Sequence, residues 1–150
     1  MADEQPQYVA NGYAIYEHPL FSMQMEALVA AIEQEPSGGA STDAKLLGRI
    51  LDEIDNIAAK PDDPKYRLGK TMGGKYKHWR RVKFMGRYRL FFRYDSASKV
   101  IILAWVNDEG TKRTYGSKND AYAVFKKMLE SGNPPDNWEE LLKAVETASD

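Results

Sequence analysis

The stretch from Lys65 to Tyr94, KYRLGKTMGGKYKHWRRVKFMGRYRLFFRY, holds eleven of the chain's 21 basic residues and no acid. Charge at that density leaves few folds open. The apolar residues must enter a core while the cations between them leave it. Period-two alternation achieves this, because successive strand side chains point to opposite faces. The spacing predicts a β-hairpin with strands Trp79 to Phe84 and Arg87 to Tyr94 and a two-residue turn at Met85-Gly86. Val82 and Phe84 then form one face of the first strand, and Trp79, Arg81 and Lys83 the other. On the return strand Tyr88, Leu90, Phe92 and Tyr94 share one face, and Arg87, Arg89, Phe91 and Arg93 share the opposite one. The apolar sets are expected to line a core, and the cationic sets to converge on one exposed sheet face. Like charges side by side lower stability, and an anionic ligand relieves the repulsion.

Eight aromatics, from Tyr66 and Tyr76 to Phe92 and Tyr94, interleave these cations. Cations for phosphates and rings for bases compose a surface that suits single-stranded nucleic acid. The plain alternative is a solvated basic strand face; the missing acids and the interleaved rings weigh against it. Net charge is only −1, yet residues 1–64 carry three bases against twelve acids, residues 65–113 fourteen against three, and residues 114–150 four against seven. Such segregation predicts a focused phosphate site on an acidic body and argues against histone-like coating of DNA. The lack of cysteine excludes disulfides and thiolate chemistry. One domain spanning 1–150 is expected from the length. With no signal-like segment or long apolar run, a soluble cytoplasmic protein is the expectation.

Around this stretch the chain reads as follows. Residues 1–8 are polar and expected to fray. Gly12 to Glu17 forms a short strand, ended by His18-Pro19. Phe21, Met25, Leu28, Val29 and Ile32 recur at helical spacing up to Glu35-Pro36. PSGGAST, residues 36–42, connects to a second helix capped by Ser41, Thr42 or Asp43, with Leu46, Ile50, Ile54 and Ile57 on its core face. Residues 62–78 read as a mobile basic flap. Their GKTMGG run lacks the order of a phosphate loop. KVIILAWV, residues 99–106, reads as a central strand buried on both faces. A helix from Ala121 and a last helix capped by Asp136, with Trp138 and Leu141 inward, complete the chain.

His18 and His78 lie far apart, and no acid neighbours His78 in sequence, so no metal site is expected. A cation-rich, acid-poor site suits RNA cleavage by the 2′-hydroxyl, with guanidinium groups stabilising the charged transition state. Lys83 and His78 are the candidate proton acceptors. Like charges around Lys83 oppose its protonation, which favours a base, and histidine exchanges protons near neutral pH.

The strings NGYAIYEHPLF, RVKF, RYRLFFRY, VIILAWVNDEGTKRTYG and DAYAVFKKMLESGNPPDNW resemble the YhaV toxins of type II toxin–antitoxin pairs, over about residues 11–142. The order of elements resembles the RelE/ParE toxin fold. The resemblance implies an α+β domain: a small antiparallel sheet, two N-terminal helices packed on it, and C-terminal helices. It implies an mRNA-cleaving endoribonuclease without cofactor that arrests translation, on the ribosome or off it. A PrlF-type antitoxin is implied as partner, with operator DNA bound only through the complex. Arg81, Arg87, Arg89 and Arg113 would hold the scissile phosphate, and Lys83 would be the base. Tyr122, with Tyr115 as its rival, would lie over the cleaved nucleotide, and His78 would assist. Lys70, Lys75, Lys77 and Arg93 would guide the RNA. The rival classes are a non-catalytic RNA- or ribosome-binding module and a ParE-like toxin directed at gyrase.

Overall fold

Asn11 and Gly12 both hold positive φ, 52° and 81°, and so turn the chain between two short strands, β1 (Tyr8–Ala10) and β2 (Tyr13–Glu17). Asn-Gly is a strong hairpin signal. This hairpin is absent from the expectation of a frayed N-terminus up to residue 8. The Asn11 amide also donates to the carbonyls of Ala58 and Ala59, which end the second helix. These features come from a computed structural model that describes residues 8–36, 41–107 and 120–148.

The remaining elements are α1 (Pro19–Gln34), α2 (Thr42–Ala59), β3 (Arg80–Phe84), β4 (Tyr88–Asp95), β5 (Val100–Val106), α3 (Ala121–Ser131) and α4 (Trp138–Ala148). The five strands form one sheet in the order β1-β2-β5-β4-β3. It is mixed rather than antiparallel throughout, because β2 runs parallel to β5. As expected, β5 is central, with Ile101 to Val106 buried. Helix starts are set locally. His18 Nδ1 accepts from Leu20 N, Ser41 Oγ from Ala44 N, and Asp120 Oδ1 from Ala123 N. Gly132 closes α3 in the left-handed conformation.

The hairpin differs from its expected form in one respect. Phe84 pairs with Tyr88, so the turn has three residues, Met85 to Arg87. A two-residue turn would put Phe84 opposite Arg87, and directly opposed residues share a face. The third residue is what brings Val82 and Phe84 to the same side as Tyr88, Leu90 and Phe92.

Both faces of the sheet are covered. On one, Ile15, Leu90, Phe92 and Leu103 pack against Phe21 of α1 and Ile50, Ile54 and Ile57 of α2. Each such side chain contributes about 1.5–3 kcal/mol by leaving water. On the other, Trp79, Phe91 and Trp105 pack against Val124, Phe125 and Leu129 of α3 and Leu141 and Val145 of α4. Phe91 stacks on Phe125 at 4.3 Å, and Trp79 meets Phe125 edge-on at 5.1 Å. The face expected to be exposed and cationic is therefore a second core. Of the eight interleaved aromatics only Tyr94 escapes full burial, so these rings build the interior rather than stack on bases. The expected flap is pinned as well: Leu68, Met72 and Tyr76 are buried in this second core.

Candidate active site

Arg81, Phe91 and Trp105 lie abreast on β3, β4 and β5 and point toward α3. Arg81 is 7% exposed, which corrects the expectation that it points away from the core. Its Nε–H donates to Tyr122 Oη at 2.8 Å, and its Nη1 donates to the carbonyls of Lys65 and Arg67, both at 3.0 Å. One guanidinium therefore ties the 64–68 segment to the edge strand and sets the Tyr122 hydroxyl. Tyr122, in the first turn of α3, is half-buried, with its ring edge-on to Phe91 at 5.8 Å. The pairing of Arg81 with Tyr122, 41 residues apart, is one that periodicity alone does not show.

Two residues further along β3 the helical cover ends. Lys83 pairs with Arg89 across the strands; Lys83 is exposed and Arg89 half-buried. Arg89 donates through Nη1 to the carbonyls of Tyr88 and Gly86, which braces the turn. Its Nε–H is buried without a hydrogen-bond partner among the described residues. Arg87, at the exposed turn, lies over the Tyr88 ring at 5.1 Å and donates to its hydroxyl. Asn107 fixes this end of the sheet: its Oδ1 accepts from Arg89 N and its Nδ2 donates to Arg87 O. Sequence reasoning missed Asn107, which lies 18 residues from Arg89. No carboxylate of the described residues is within ion-pair distance of Lys83 or Arg89. Arg113 and Tyr115 lie outside the described residues.

His78 belongs elsewhere. At about 3.3 Å per strand residue, it sits at the opposite end of β3 from Lys83. An acid does reach it, contrary to expectation: Asp136 Oδ1 is 2.6 Å from His78 Nε2 and accepts from Trp79 Nε1 at 2.8 Å. Asp136 is thereby taken from helix capping, and Asn137 Oδ1 caps α4 by accepting from Glu140 N instead. Arg93, expected to guide RNA, is used internally. Its guanidinium lies between the Trp79 and Trp138 rings, 5.5 and 5.2 Å away, and donates to Asp136 O. Burial lowers its pKa, opposed by Asp136. Lys70, Lys75 and Lys77 are exposed on the 62–78 loop, as expected. Among the described residues no three of His, Cys, Asp and Glu come together, and no helix is long and apolar enough to cross a membrane.

The chain belongs to the YhaV toxin family, described as toxins with endonuclease activity of toxin–antitoxin systems, whose model matches residues 15–146. This defines the class: an endonuclease toxin that pairs with an antitoxin. Over 149 residues the chain is 48% identical to the Ribonuclease toxin YhaV of Escherichia coli K12, covering 94% of this chain and 96% of the relative. The Toxin YhaV proteins of E. coli O157:H7 and O6:H1 match to the same extent. No solved structure matches the chain significantly.

Proposed function

We propose that this chain is an endoribonuclease toxin of RelE/ParE type that cuts mRNA without a metal and so stops translation and growth. The observation that supports it most is the end of the cationic sheet face past the described helices, where exposed Lys83 stands opposite Arg89 with no carboxylate of the described residues in ion-pair distance. In this reading Lys83 accepts the proton of a 2′-hydroxyl. That oxygen bonds to the adjacent phosphorus, the bond to the 5′-oxygen breaks, the 5′-oxygen takes a proton from solvent, and a 2′,3′-cyclic phosphate and a 5′-hydroxyl result. Arg87 and Arg89 stabilise the developing charge, and Arg113 joins them as the family resemblance implies. Tyr122 contacts the cleaved nucleotide, and Arg81 acts through it as a positioning residue. Lys70, Lys75 and Lys77 guide the backbone. His78, across the strand and engaged by Asp136, is the lesser candidate for the base. The partner is an antitoxin of PrlF type in the cytoplasm, through which alone the toxin reaches operator DNA. The mRNA is cut free or on the ribosome.

Incubating defined mRNA with purified protein and excess chelator, alone and with ribosomes, and then mapping the ends, tests this reading. Cyclic phosphate and 5′-hydroxyl ends are expected, with Lys83→Met slower by about 10²–10⁴-fold. Ends bearing 5′-phosphate, formed only when one divalent ion is restored, would overturn the mechanism. RNA bound but left intact would favour a binding module.

A further inference from the structure

Between α2, the Pro64–Tyr66 turn and the outer edge of β3 lies a cleft of about 450 Å³. Arg49 and Asn56 reach it from α2, Lys65 and Tyr66 from the turn, and Lys83 from β3. Glu53 lines it from within, 5% exposed. Its Oε2 pairs with Arg49 Nη2 at 2.7 Å, and its Oε1 accepts from Asn56 Nδ2 at 3.1 Å. The ion pair orients the Arg49 guanidinium and leaves its remaining N–H groups for a ligand. Lys65 and Lys83 are exposed and have no ion-pair partner among the described residues. Arg49 and Lys65, with Lys83 at the border, therefore face one acid. Burial, reinforced by the charges of Glu53 and Asp63, pushes the Tyr66 phenol up to about 12.

We propose that this cleft binds the nucleotide adjacent to the scissile phosphate in single-stranded RNA. Arg49 and Lys65 hold a backbone phosphate, and Glu53 with Asn56 engages hydrogen-bond donors of the ribose and base. Lys83 borders both the cleft and the cleaving site, which makes the two nucleotides neighbours. Glu53 separates RNA from the other anionic occupant, an acidic segment of a protein partner. A carboxylate in the cleft accepts from sugar hydroxyls and base N–H groups, donors that the ionised side chains of an acidic peptide lack. The proposal rests on the RNA-cleaving reading for the identity of its ligand.

Lys65→Ala and Arg49→Gln test it. Neither residue is in the cleaving site, and Lys65→Ala breaks no ion pair, so its fold is kept. Fluorescence anisotropy with a short labelled single-stranded RNA measures Kd whether or not the protein cuts. Steady-state kinetics gives kcat and KM separately. Each variant should raise Kd and KM about tenfold, the size of one charge-assisted hydrogen bond. Each should leave kcat within about twofold and flatten the log–log salt slope by about 0.7. Unchanged Kd and salt slope in both variants would overturn the proposal. So would a fall in kcat at constant KM, or weakened antitoxin binding with RNA affinity intact. Wild-type protein that binds RNA without cutting it would defeat the cleavage reading and leave the cleft decided by the anisotropy alone.

Discussion

His18 is 3% exposed, and its Nδ1 accepts the Leu20 N–H that opens α1. Only the neutral ring can accept, and burial lowers its pKa to about 4. The unfolded chain, with an ordinary histidine near 6.5, binds the proton more tightly. The stability this residue contributes is therefore complete above about pH 6.5 and is lost as pH falls toward 4, by roughly 3 kcal/mol. His18→Asn keeps a side chain able to cap and should flatten urea-denaturation stability between those pH values. An unchanged slope would remove His18 from the account. At Arg81 the expectation is of another kind. Arg81→Ala strips the Lys65 and Arg67 carbonyls and the Tyr122 hydroxyl of their donor. At about 1–3 kcal/mol for each buried group left unpaired, calorimetry should show a large loss of stability alongside lost cleavage. Tyr122→Phe keeps the packing on Phe91 and should cost only about 1 kcal/mol. If Arg81 acts through Tyr122, that variant still loses kcat; normal cleavage by Tyr122→Phe would leave Arg81 a purely structural clamp.

At the scale of elements, the β3–β4 hairpin carries both the core and the proposed site, and its turn decides which residue serves which. Met85 and Gly86 hold φ of 49° and 76°. Nothing lies within 4 Å of a Cβ built on Gly86, so Gly86→Ala meets strain from backbone conformation alone. It should cost about 1 kcal/mol, read as a lower unfolding midpoint with the far-UV spectrum retained. A cost near zero would show that the turn relaxes to another conformation. The helix caps and the apolar stripes of α1 and α2 were readable locally, because each depends on neighbours three or four residues away. The turn is misread from sequence as two residues, although putting the two apolar sets on one face needs a third. The capping role expected of Asp136 was not readable locally, because Trp79 and His78, 57 and 58 residues upstream, compete for the same carboxylate.

Across the whole molecule, the sheet buries both faces between helical layers, so the proposed RNA contacts lie on a rim rather than on an open sheet. The rim comprises the hairpin end with Lys83, Arg87 and Arg89, and the loop bearing Lys70, Lys75 and Lys77. Binding to single-stranded RNA should weaken with salt at a log–log slope of about −0.7 per phosphate contacted. Replacing the three loop lysines together by alanine should flatten that slope by up to about 2. A slope equal to wild type would take the loop off the RNA path.

The sequence by itself determined the elements other than the β1–β2 hairpin, the strand alternation, the segregation of charge and the family. These follow from neighbouring residues or from matched strings. Only the tertiary structure decided what covers the second face of the sheet. Alternation says that Trp79, Arg81 and Phe91 share a side; it does not say whether water or another layer lies there. The answer comes from α3 and α4, whose apolar faces need a partner surface and find it on these rings. That burial turns Arg81 from an exposed phosphate ligand into a clamp for Tyr122, and Arg93 into a cation held between two tryptophans. It leaves Lys83 and Arg89, past the end of the helical cover, as the pair that meets solvent.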